Sequence, residues 1–195
     1  MTLSKAELRD TIRAQRRGLP AHRQTEAGAA VAALLAPWIS ELAPGTASAS
    51  VATDGELDPG PTVRLLRACG WAVAFPRIEG QNMSFHLASD TELEPSRLGL
   101  SEPQHEAPEV APAALDLVFV PLVAFDPARN RIGRGRAYYD RTFAFLADSP
   151  RPSHPWLVGL AHDLQLVDEL TPASHDIVLD AVVTPSGVHG DLPSP

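Results

Sequence analysis

The stretch LDLVFVP, Leu115 to Pro121, indicates the fold of this chain most strongly. A continuous apolar run of this length is typical of a parallel strand that is buried on both faces of a sheet, and Pro121 ends it. Further apolar segments alternate with helical patterns on either side. Strands are predicted at 47–52, 71–75, 83–88, 156–161 and 177–184. We therefore expect an α/β fold, a three-layer sandwich with a largely parallel central sheet flanked by helices.

Helical patterns fill much of the remaining chain. Helices are predicted at 4–17, 22–43, 59–69 and 137–147. The first begins with a capping-box pattern, and the second is expected to be bent or interrupted at Pro37. The segment 91–112 is rich in Pro and Glu and is predicted to be mostly loop, and 185–195 is predicted to be a frayed tail.

The composition limits the class of protein. With 195 residues, of which 44% are hydrophobic, the chain can form one well-buried core, and we expect a single domain over residues 1–195. Its formal net charge of -8 argues against a general nucleic-acid or anionic-membrane surface. No apolar run is long enough to span a bilayer, and Cys69 is the only cysteine. We expect a cytoplasmic monomer without nucleic-acid or membrane partners.

The basic residues are concentrated in two places. Twelve of the sixteen Lys and Arg residues lie in 5–23 and 129–151, which indicates one local site for an anionic ligand, although both segments could instead be solvated faces. In the first segment, four basic residues fall on one side of the predicted helix: Lys5, Arg9, Arg13 and Arg16. This ridge borders an apolar stripe, so its side-chain stems can pack while its charges point into a cleft.

The second basic segment contains NRIGRGRAYYDR, Asn130 to Arg141. It lacks the Gly-Lys-Ser/Thr ending of a Walker loop, and a tyrosine stands where a dinucleotide fingerprint needs a small residue. Gly133 and Gly135 nevertheless let backbone N–H groups approach an anion, and a helix that starts just after them points its positive end the same way. Three arginines add donors for phosphate oxygens: Arg131, Arg134 and Arg136. These residues alone predict a polyphosphate site.

Several side chains around this loop have two interpretations. Asp140 is either an acid that stabilises the start of the helix or a ligand for a magnesium ion carried by the phosphates. Of Tyr138 and Tyr139, we expect one to anchor the core and the other to form a flat wall for a ring system. His162 and His175 flank the last strands without zinc spacing, so structural or solvent-exposed roles are favoured for them.

The order of these features resembles that of the 5-formyltetrahydrofolate cyclo-ligase family, also called the 5,10-methenyltetrahydrofolate synthetases, over nearly the whole chain. The matching motifs are Lys5-x-x-x-Arg9, Asp54-Gly55-Glu56-Leu57-Asp58, Phe75-Pro76-Arg77, Gly99-Leu100-Ser101-Glu102-Pro103, the stretch from Leu115 to Arg141, VGLAHDLQLVDEL and HDIVLDAVVT. The loop that ends in Tyr-Tyr-Asp is the most specific of these, because the family carries a Gly-Arg-Gly-x-Gly-Tyr-Tyr-Asp loop after an apolar strand.

The resemblance implies an enzyme that converts 5-formyltetrahydrofolate to 5,10-methenyltetrahydrofolate, with ATP as co-substrate and Mg²⁺ as cofactor. In the family, the formyl oxygen attacks the γ-phosphate, N10 of the folate closes the ring, and ADP and phosphate are released. Such a reaction needs positioning and charge neutralisation more than a strong protein nucleophile.

Roles for individual residues are implied by motif match. The ATP-binding residues would be Lys5, Arg9, Arg131, Gly133, Arg134, Gly135, Arg136, Ala137, Tyr138 and Tyr139. The catalytic residues would be Arg134, nearest the transferred phosphoryl group, and Lys5. The reduced folate would contact Val51, Glu56, Arg134 and Tyr138. Asp140 and Asp176 would hold the magnesium ion.

Two positions depart from the family's pattern. Ala137 stands where the family has a glycine. If its φ angle is positive, its Cβ costs on the order of 1 to 2 kcal/mol and distorts the loop, whereas in a helical conformation it costs nothing. Pro59 stands where a threonine is common, which affects one polar contact near the substrate. The alternative function is therefore a catalytically weak paralogue that binds folate or nucleotide as a binding or regulatory protein.

Overall fold

The computed structural model describes residues 4–96, 99–147 and 149–194. The α-helices in these ranges are α1 (Lys5–Arg17), α2 (Ala21–Glu41), α3 (Gly60–Ala68) and α4 (Tyr138–Thr142). The strands are β1 (Thr46–Ser48), β2 (Ala72–Glu79), β3 (Asn82–Leu87), β4 (Leu93–Pro95), β5 (Ser101–Pro103), β6 (Glu109–Val110), β7 (Leu117–Pro121), β8 (Ala124–Phe125), β9 (Arg131–Ile132), β10 (Trp156–Leu160), β11 (Ala181–Thr184) and β12 (Gly187–Gly190). None of the described helices is both long and apolar enough to cross a membrane.

Eight of these strands form one central sheet, in the order β12-β11-β10-β7-β1-β2-β3-β6. The inner strands from β11 to β2 run parallel to one another. The strands added at the two edges run antiparallel. β7 contains the apolar stretch that predicts the fold, and it pairs with β10 on one side and with β1 on the other. The predicted α/β fold with a largely parallel sheet is confirmed.

The two faces of β7 are covered by different layers. Leu117 and Phe119 pack with residues of α2 and α3, whereas Val118 and Val120 pack on the opposite face with Phe143, which follows α4. The four strand side chains are at most 2% exposed. Because successive side chains of a strand point to opposite faces, a run of consecutive apolar residues buries both faces. The sheet therefore lies between two layers, as predicted.

α1 packs on the region that follows β7. Its capping box is present, because Ser4 Oγ accepts from the Glu7 N–H and the Glu7 carboxylate accepts from the Ser4 N–H. Its Ile12 is 5% exposed and lies in an apolar cluster with residues of β8 and β9. α1 is thereby fixed against the hairpin that leads into the glycine-rich loop.

Three predicted elements differ from the structure. α2 runs through Pro37 without a break, because Leu35 and Ile39 are fully buried on either side and hold the helix on the sheet; an interruption there is therefore wrong. The helix expected at 137–147 is shorter, since α4 has 5 residues and is followed by a 3-10 turn. The segment 91–112, expected to be mostly loop, contributes β4, β5 and β6, where prolines are tolerated on short edge strands.

The prediction of a frayed C-terminal tail at 185–195 is wrong for most of that segment. β12 pairs antiparallel with β11 at the edge of the sheet, and residues 185–186 form the turn between them. Trp38 Nε1 donates a 2.8 Å hydrogen bond to the carbonyl oxygen of Pro193, which fixes the chain beyond the strand. Pro195 lies outside the described residues.

Deleting residues 186–195 is expected to lower the free energy of unfolding by roughly 3 kcal/mol, because strand hydrogen bonds are lost and the buried indole N–H of Trp38 loses its acceptor. Deleting only residues 194–195 is the control, since Ser194 is exposed. Urea unfolding followed by circular dichroism measures both changes. Equal stabilities of the two shortened chains would show that the C-terminal strand contributes nothing.

Candidate active site

A cavity of about 330 Å³ opens at the carboxyl ends of β1, β2 and β7. Nine of the predicted site residues line it: Val51, Glu56, Arg131, Gly133, Arg134, Arg136, Ala137, Tyr138 and Tyr139. Ligands of parallel sheets gather at this edge, because the loops after neighbouring strands meet there. The chain segments after Ser48 and Val120, which are far apart in sequence, thus form one concave surface with the glycine-rich loop.

A hairpin positions the glycine-rich loop. Asp126, which is 2% exposed, follows β8 and accepts hydrogen bonds from the Asn130 N–H at 2.9 Å and from the Leu170 N–H at 3.0 Å. The first bond closes the turn between β8 and β9, and the second ties that turn to the segment at Leu170. β9 then leads directly into Gly133. The loop therefore starts from a fixed backbone.

The backbone of this loop has donors available for an anion. Within the described part of the chain, the N–H groups of residues 133–137 donate no hydrogen bond to another protein group. Gly135 has a φ angle of 92°, which only glycine adopts easily. Because α4 has only 5 residues, these loop N–H groups, rather than the predicted helix terminus, are the donors that an anion would meet.

Ala137 adopts the left-handed conformation, with φ 50° and ψ 30°, at the residue before α4. The sequence left open a helical or a positive-φ conformation for Ala137, and the structure has the strained, positive-φ one. The Cβ of an L-residue costs roughly 1 to 2 kcal/mol in this region. α4 nevertheless begins at the next residue, Tyr138, so the fold accommodates the strain at Ala137.

Arg131 and Asp140 form a nearly buried ion pair at the base of the loop. Arg131 Nη2 lies 2.6 Å from Asp140 Oδ1, and Arg131 Nη1 donates to the carbonyl oxygen of Ile177. The Ile177 N–H donates to the same Asp140 oxygen at 3.2 Å. The arginine is thus held by protein groups, and the pair ties the loop to the segment beside Asp176.

α1 places one cation against the glycine-rich loop and another against Asp176. Arg9 Nε donates a 2.9 Å hydrogen bond to the carbonyl oxygen of Gly133, and Lys5 Nζ lies 3.2 Å from Asp176 Oδ2. Burial raises the pKa of Asp176, but hydrogen bonds from the Ala173 N–H and from Lys5 outweigh it and lower the pKa below its usual value. Of the predicted ATP-binding residues of the first motif, Arg9 therefore lies beside the loop and Lys5 lies beside Asp176.

The carboxylates of Asp140 and Asp176 are suited to bind Mg²⁺ only when the ion is also bound by the phosphates of a nucleotide. Across the described residues, no group of three or more His, Cys, Asp and Glu side chains could hold a metal ion. Asp140 accepts both of its protein hydrogen bonds on Oδ1, and Asp176 accepts both of its bonds on Oδ2. Mg²⁺ often takes one or two carboxylates and completes its shell with phosphate oxygens and water. This donor set matches that pattern.

A tight turn presents Glu56 to the cavity. Asp54 and Gly55 both have positive φ angles, 59° and 71°, and the Glu56 N–H donates to the Thr53 carbonyl oxygen, as in a type I′ turn. Glu56 Oε2 in turn accepts from the Thr53 N–H at 3.1 Å. A Cβ on Gly55 would lie 3.0 Å from the Arg16 carbonyl oxygen, so a larger residue there would require α1 to shift by a few tenths of an ångström and would also be strained at the positive φ angle.

Arg16 joins this turn to the rest of the site. Its side chain has no exposed surface, so the expectation that it points into a cleft is wrong. It donates to the carbonyl oxygens of Asp54 at 3.0 Å and Leu122 at 3.2 Å, and to the Asp54 carboxylate at 3.2 Å. Burial lowers the pKa of Arg16, while the charges of Glu56 and Asp54 oppose this shift.

Asp54 is surrounded by arginines. Arg13 Nε donates to its Oδ2 at 2.7 Å, and Arg17 Nε donates to its Oδ1. Burial raises the pKa of Asp54, but the hydrogen bonds from Arg13 and Arg17 outweigh it, so the pKa lies below its usual value. The carboxylate therefore stays charged at neutral pH.

Arg134 lies above the same turn. Its Nη1 donates a 2.9 Å hydrogen bond to Thr53 Oγ1, while its Nη2 lies 4.0 Å from Asp54 Oδ2 and its Nε lies 3.9 Å from Glu56 Oε1. The side chain is 39% exposed, so these long charge contacts are weak. The guanidinium can therefore leave the turn for an anion in the cavity.

Aromatic and apolar side chains form another part of the lining. Tyr138 donates its hydroxyl to the Gly80 carbonyl oxygen at 3.1 Å. Tyr139 stacks on the buried Phe143, and burial, together with the nearby Glu56 charge, raises the pKa of Tyr139. Tyr139 thus packs on the core, as expected for one of the pair, and the role of Tyr138 as a ring wall stays a prediction.

The motifs at 75–77 and 99–103 support the aromatic and apolar part of the cavity lining. Arg77 is 8% exposed and donates to the carbonyl oxygen of Pro103 at 2.8 Å. Burial raises the pKa of Glu102, against a hydrogen bond from the Ile78 backbone. Leu100, in the same segment, lines the cavity. The two motifs therefore join β2 to the hairpin of β4 and β5.

Four residues that shape the site were not among the predicted site residues: Arg13, Asp54, Arg77 and Asp126. Each had a signal: Arg13 lies on the basic ridge, Asp54 begins an Asp-Gly turn, and the other two belong to the motifs that match the family. What the sequence did not show is which partners they meet, because those partners lie far away along the chain. His162 is buried and burial lowers its pKa, whereas His175 is exposed.

Known proteins resemble this chain over nearly its whole length. Its sequence matches the 5-formyltetrahydrofolate cyclo-ligase family over residues 1–185. The chain belongs to this family. A 5-formyltetrahydrofolate cyclo-ligase of Escherichia coli (strain K12) is 35% identical over 183 residues, which are 91% of this chain and 98% of that protein. One of Mycolicibacterium smegmatis is 29% identical over 194 residues, 93% of this chain and 94% of that protein.

Solved structures show the same cyclo-ligase fold. The NMR structure of Aquifex aeolicus 5,10-methenyltetrahydrofolate synthetase has a TM-score of 0.79 at 26% identity and covers 99% of this chain and 96% of that chain. The Mycoplasma pneumoniae 5,10-methenyltetrahydrofolate synthetase has a TM-score of 0.74 at 20% identity and covers 94% of this chain and 99% of that chain. At the latter identity the likeness concerns the fold alone.

Two positions depart from the family pattern, and the structure places them differently. Ala137 lies in the main cavity with a positive φ angle. Pro59 instead lines a small cavity of about 20 Å³ that shares Glu56 with the main one. The effect of a proline in place of a threonine hydroxyl would therefore fall on this small cavity.

Replacing Ala137 with glycine is expected to raise the free energy of unfolding by about 1 kcal/mol, because relief of the left-handed strain exceeds the greater flexibility of unfolded glycine. Ala33→Gly, in the exposed middle of α2, is the matched control and is expected to lower it by about 1 kcal/mol. Urea unfolding of both variants measures these opposite signs. Destabilisation by both changes would contradict the left-handed assignment.

Proposed function

We propose that this cyclo-ligase family member converts 5-formyltetrahydrofolate to 5,10-methenyltetrahydrofolate, with ATP as co-substrate. The observation that carries the proposal is the meeting of two unlike surfaces in one cavity of about 330 Å³. One surface combines free loop N–H groups with arginines, as a polyphosphate requires. The other combines Glu56 with aromatic and apolar side chains, as a pterin requires. The identity of the family and the two surfaces support the same reaction.

The nucleotide half is assigned to the residues of α1 and of the glycine-rich loop. Arg9 contacts the loop at Gly133 and Lys5 contacts Asp176, while the N–H groups of residues 133–137 face no protein acceptor in the described chain. Arg131 is held by Asp140 and Ile177, so in this proposal it supports the loop and adds its charge rather than a free donor. The exposed Arg136 completes the basic lining.

The folate half is assigned to the residues around Glu56. Its carboxylate has one oxygen held by Thr53, and its other oxygen lies 3.9 Å from Arg16 and from Arg134. A carboxylate in this place accepts hydrogen bonds from ring N–H donors. Val51 and Tyr138 line the same cavity and would contact the ring.

The proposed chemistry needs one activated oxygen. The formyl oxygen forms a bond to the γ-phosphorus as the bond to the ADP oxygen breaks, and N10 then adds to the activated formyl carbon. The carbon–oxygen bond breaks, phosphate leaves with the formyl oxygen, and N10 gives up its proton. Arg134 lies between the two surfaces, so its guanidinium can stabilise the charge of the transferred phosphoryl group.

Magnesium belongs to the same proposal. Asp140 and Asp176 are the residues that would hold it, each through the oxygen that accepts no protein hydrogen bond in the described chain. When bound with ATP, Mg²⁺ supplies neutralisation of the phosphate oxygens. Lys5 bonds the other oxygen of Asp176, Oδ2, and can keep that contact while the ion is bound. We further propose that the enzyme works as a cytoplasmic monomer.

A second candidate is a binding or regulatory protein that retains the ligands without efficient turnover. The left-handed Ala137 in the loop is the observation that favours it, since strain at this point can displace the phosphate donors. The fold and the cavity are the same under both candidates. Only turnover distinguishes them.

The purified chain is expected to form the methenyl product from 5-formyltetrahydrofolate and ATP in the presence of Mg²⁺. Methenyl absorbance measures this, and omission of ATP or removal of Mg²⁺ with a chelator should abolish it. Calorimetry with each ligand completes the experiment. Binding of both ligands without formation of product would overturn the proposed cyclo-ligase activity and establish the binding or regulatory function.

Arg134→Ala is expected to lower kcat by well over tenfold, because a donor to developing phosphoryl charge contributes about a hundredfold in comparable sites. Arg23→Ala is the control, since this exposed arginine pairs with Glu26 on the surface of α2. Steady-state rates with both substrates saturating measure the effect. Unchanged kcat in the Arg134 variant would remove this residue from the catalytic role.

A further inference from the structure

Arg13 is a cavity-lining arginine that the family motifs do not include. It lies one helical turn after Arg9 on α1, and its side chain is 32% exposed. Its Nε donates to Asp54 Oδ2 at 2.7 Å. In the described chain no protein acceptor bonds its Nη1 or Nη2. Arg13 therefore has two free donors at the cavity, whereas Arg16 uses all three of its nitrogens within the protein.

Asp54 fixes the direction of these donors. Its backbone conformation is set by the Asp-Gly turn, and its carboxylate is 9% exposed and held by the buried Arg16. A guanidinium bonded through Nε to such a carboxylate has its Nη atoms restricted to the region around that bond, because the group is planar and rigid. Arg13 is thus oriented before any ligand arrives.

Arg13 and Arg134 share one carboxylate oxygen. Asp54 Oδ2 lies 2.7 Å from Arg13 Nε and 4.0 Å from Arg134 Nη2. The two guanidinium groups therefore lie near the same anionic oxygen, one from α1 and one from the glycine-rich loop. An anion that binds Arg134 in place of its contacts with the Asp54 turn would therefore also lie close to Arg13.

We propose that Arg13 is a further phosphoryl-binding residue, oriented by Asp54, which donates to the same terminal phosphoryl group as Arg134. The charges of the cavity lining favour an anionic ligand, because the lining contains four arginines and one glutamate. The arginines are Arg13, Arg131, Arg134 and Arg136, and the glutamate is Glu56. The inference rests on the proposed use of ATP, and it adds a contact to the transferred group. Asp54 is a positioning residue in this arrangement.

Arg17 offers a matched control. It also donates through Nε to the Asp54 carboxylate, but its side chain is 55% exposed and does not line the cavity. Arg13→Gln and Arg17→Gln each remove one charge and one bond to Asp54. Only the first removes free donors from the cavity, so a role through Asp54 alone would affect both variants equally.

Calorimetry with adenylyl imidodiphosphate and with ADP, each with Mg²⁺, tests the proposal without turnover. Arg13→Gln is expected to weaken binding of adenylyl imidodiphosphate by about tenfold and to leave ADP binding within about twofold, as loss of one charge-assisted bond predicts. Arg17→Gln is expected to change neither. An unchanged affinity in Arg13→Gln, an equal loss in Arg17→Gln, or an equal loss for ADP would each overturn the proposal.

Steady-state kinetics separate the two anionic substrates. In Arg13→Gln, KM for ATP is expected to rise about tenfold while KM for 5-formyltetrahydrofolate stays within about twofold. A rise confined to the folate would assign Arg13 to a folate carboxylate and overturn the phosphoryl assignment. Arg13→Lys should recover part of the nucleotide affinity, because it keeps the charge. If the wild type binds the nucleotide but forms no methenyl product, the proposed reaction fails while the binding test of Arg13 still stands.

Discussion

The guanidinium of Arg16 has no exposed surface, and three segments that are far apart in the sequence meet at it. It belongs to α1, it donates to the carbonyl oxygen of Leu122 after β7, and it donates twice to Asp54 in the turn after β1. A buried charge that loses its partners costs roughly 3 to 5 kcal/mol, so these segments are held in one arrangement. The cavity is the space that this arrangement leaves between them and the glycine-rich loop.

The charges of the cavity follow from this junction. Once α1 is fixed by Arg16, the earlier residues on the same side of the helix, Arg9 and Arg13, come to lie beside the loop and the turn. Once the turn is fixed, Glu56 faces the cavity with one oxygen held by Thr53. A structural ion pair thereby sets the positions of groups that contact ligands. Arg16 itself is buried and does not need to touch the ligands.

The sequence predicted the parts of this protein that depend on local patterns. The apolar run of β7 and the capping box of α1 each carry their cause within a few residues, and each was found where expected. The C-terminal strand was missed because its stability comes from pairing with β11 and from Trp38, which is distant in sequence. Most candidate site residues line one cavity, but the burial of Arg16 depends on three long-range acceptors and could not be read from the pattern of α1.

The three tryptophans all lie in the layer formed by α2, α3 and the adjacent face of the sheet. Trp38 and Trp71 are buried there, and Trp156 packs against them with its ring 6.1 Å from that of Trp38. No tryptophan lines the cavity at the carboxyl edge. Intrinsic tryptophan emission therefore reports on the packing of that layer and on the docking of the C-terminus at Pro193. Ligand binding in the cavity must therefore be followed with a different chromophore. The two tyrosines of the glycine-rich loop, Tyr138 and Tyr139, line the cavity and can serve as that chromophore.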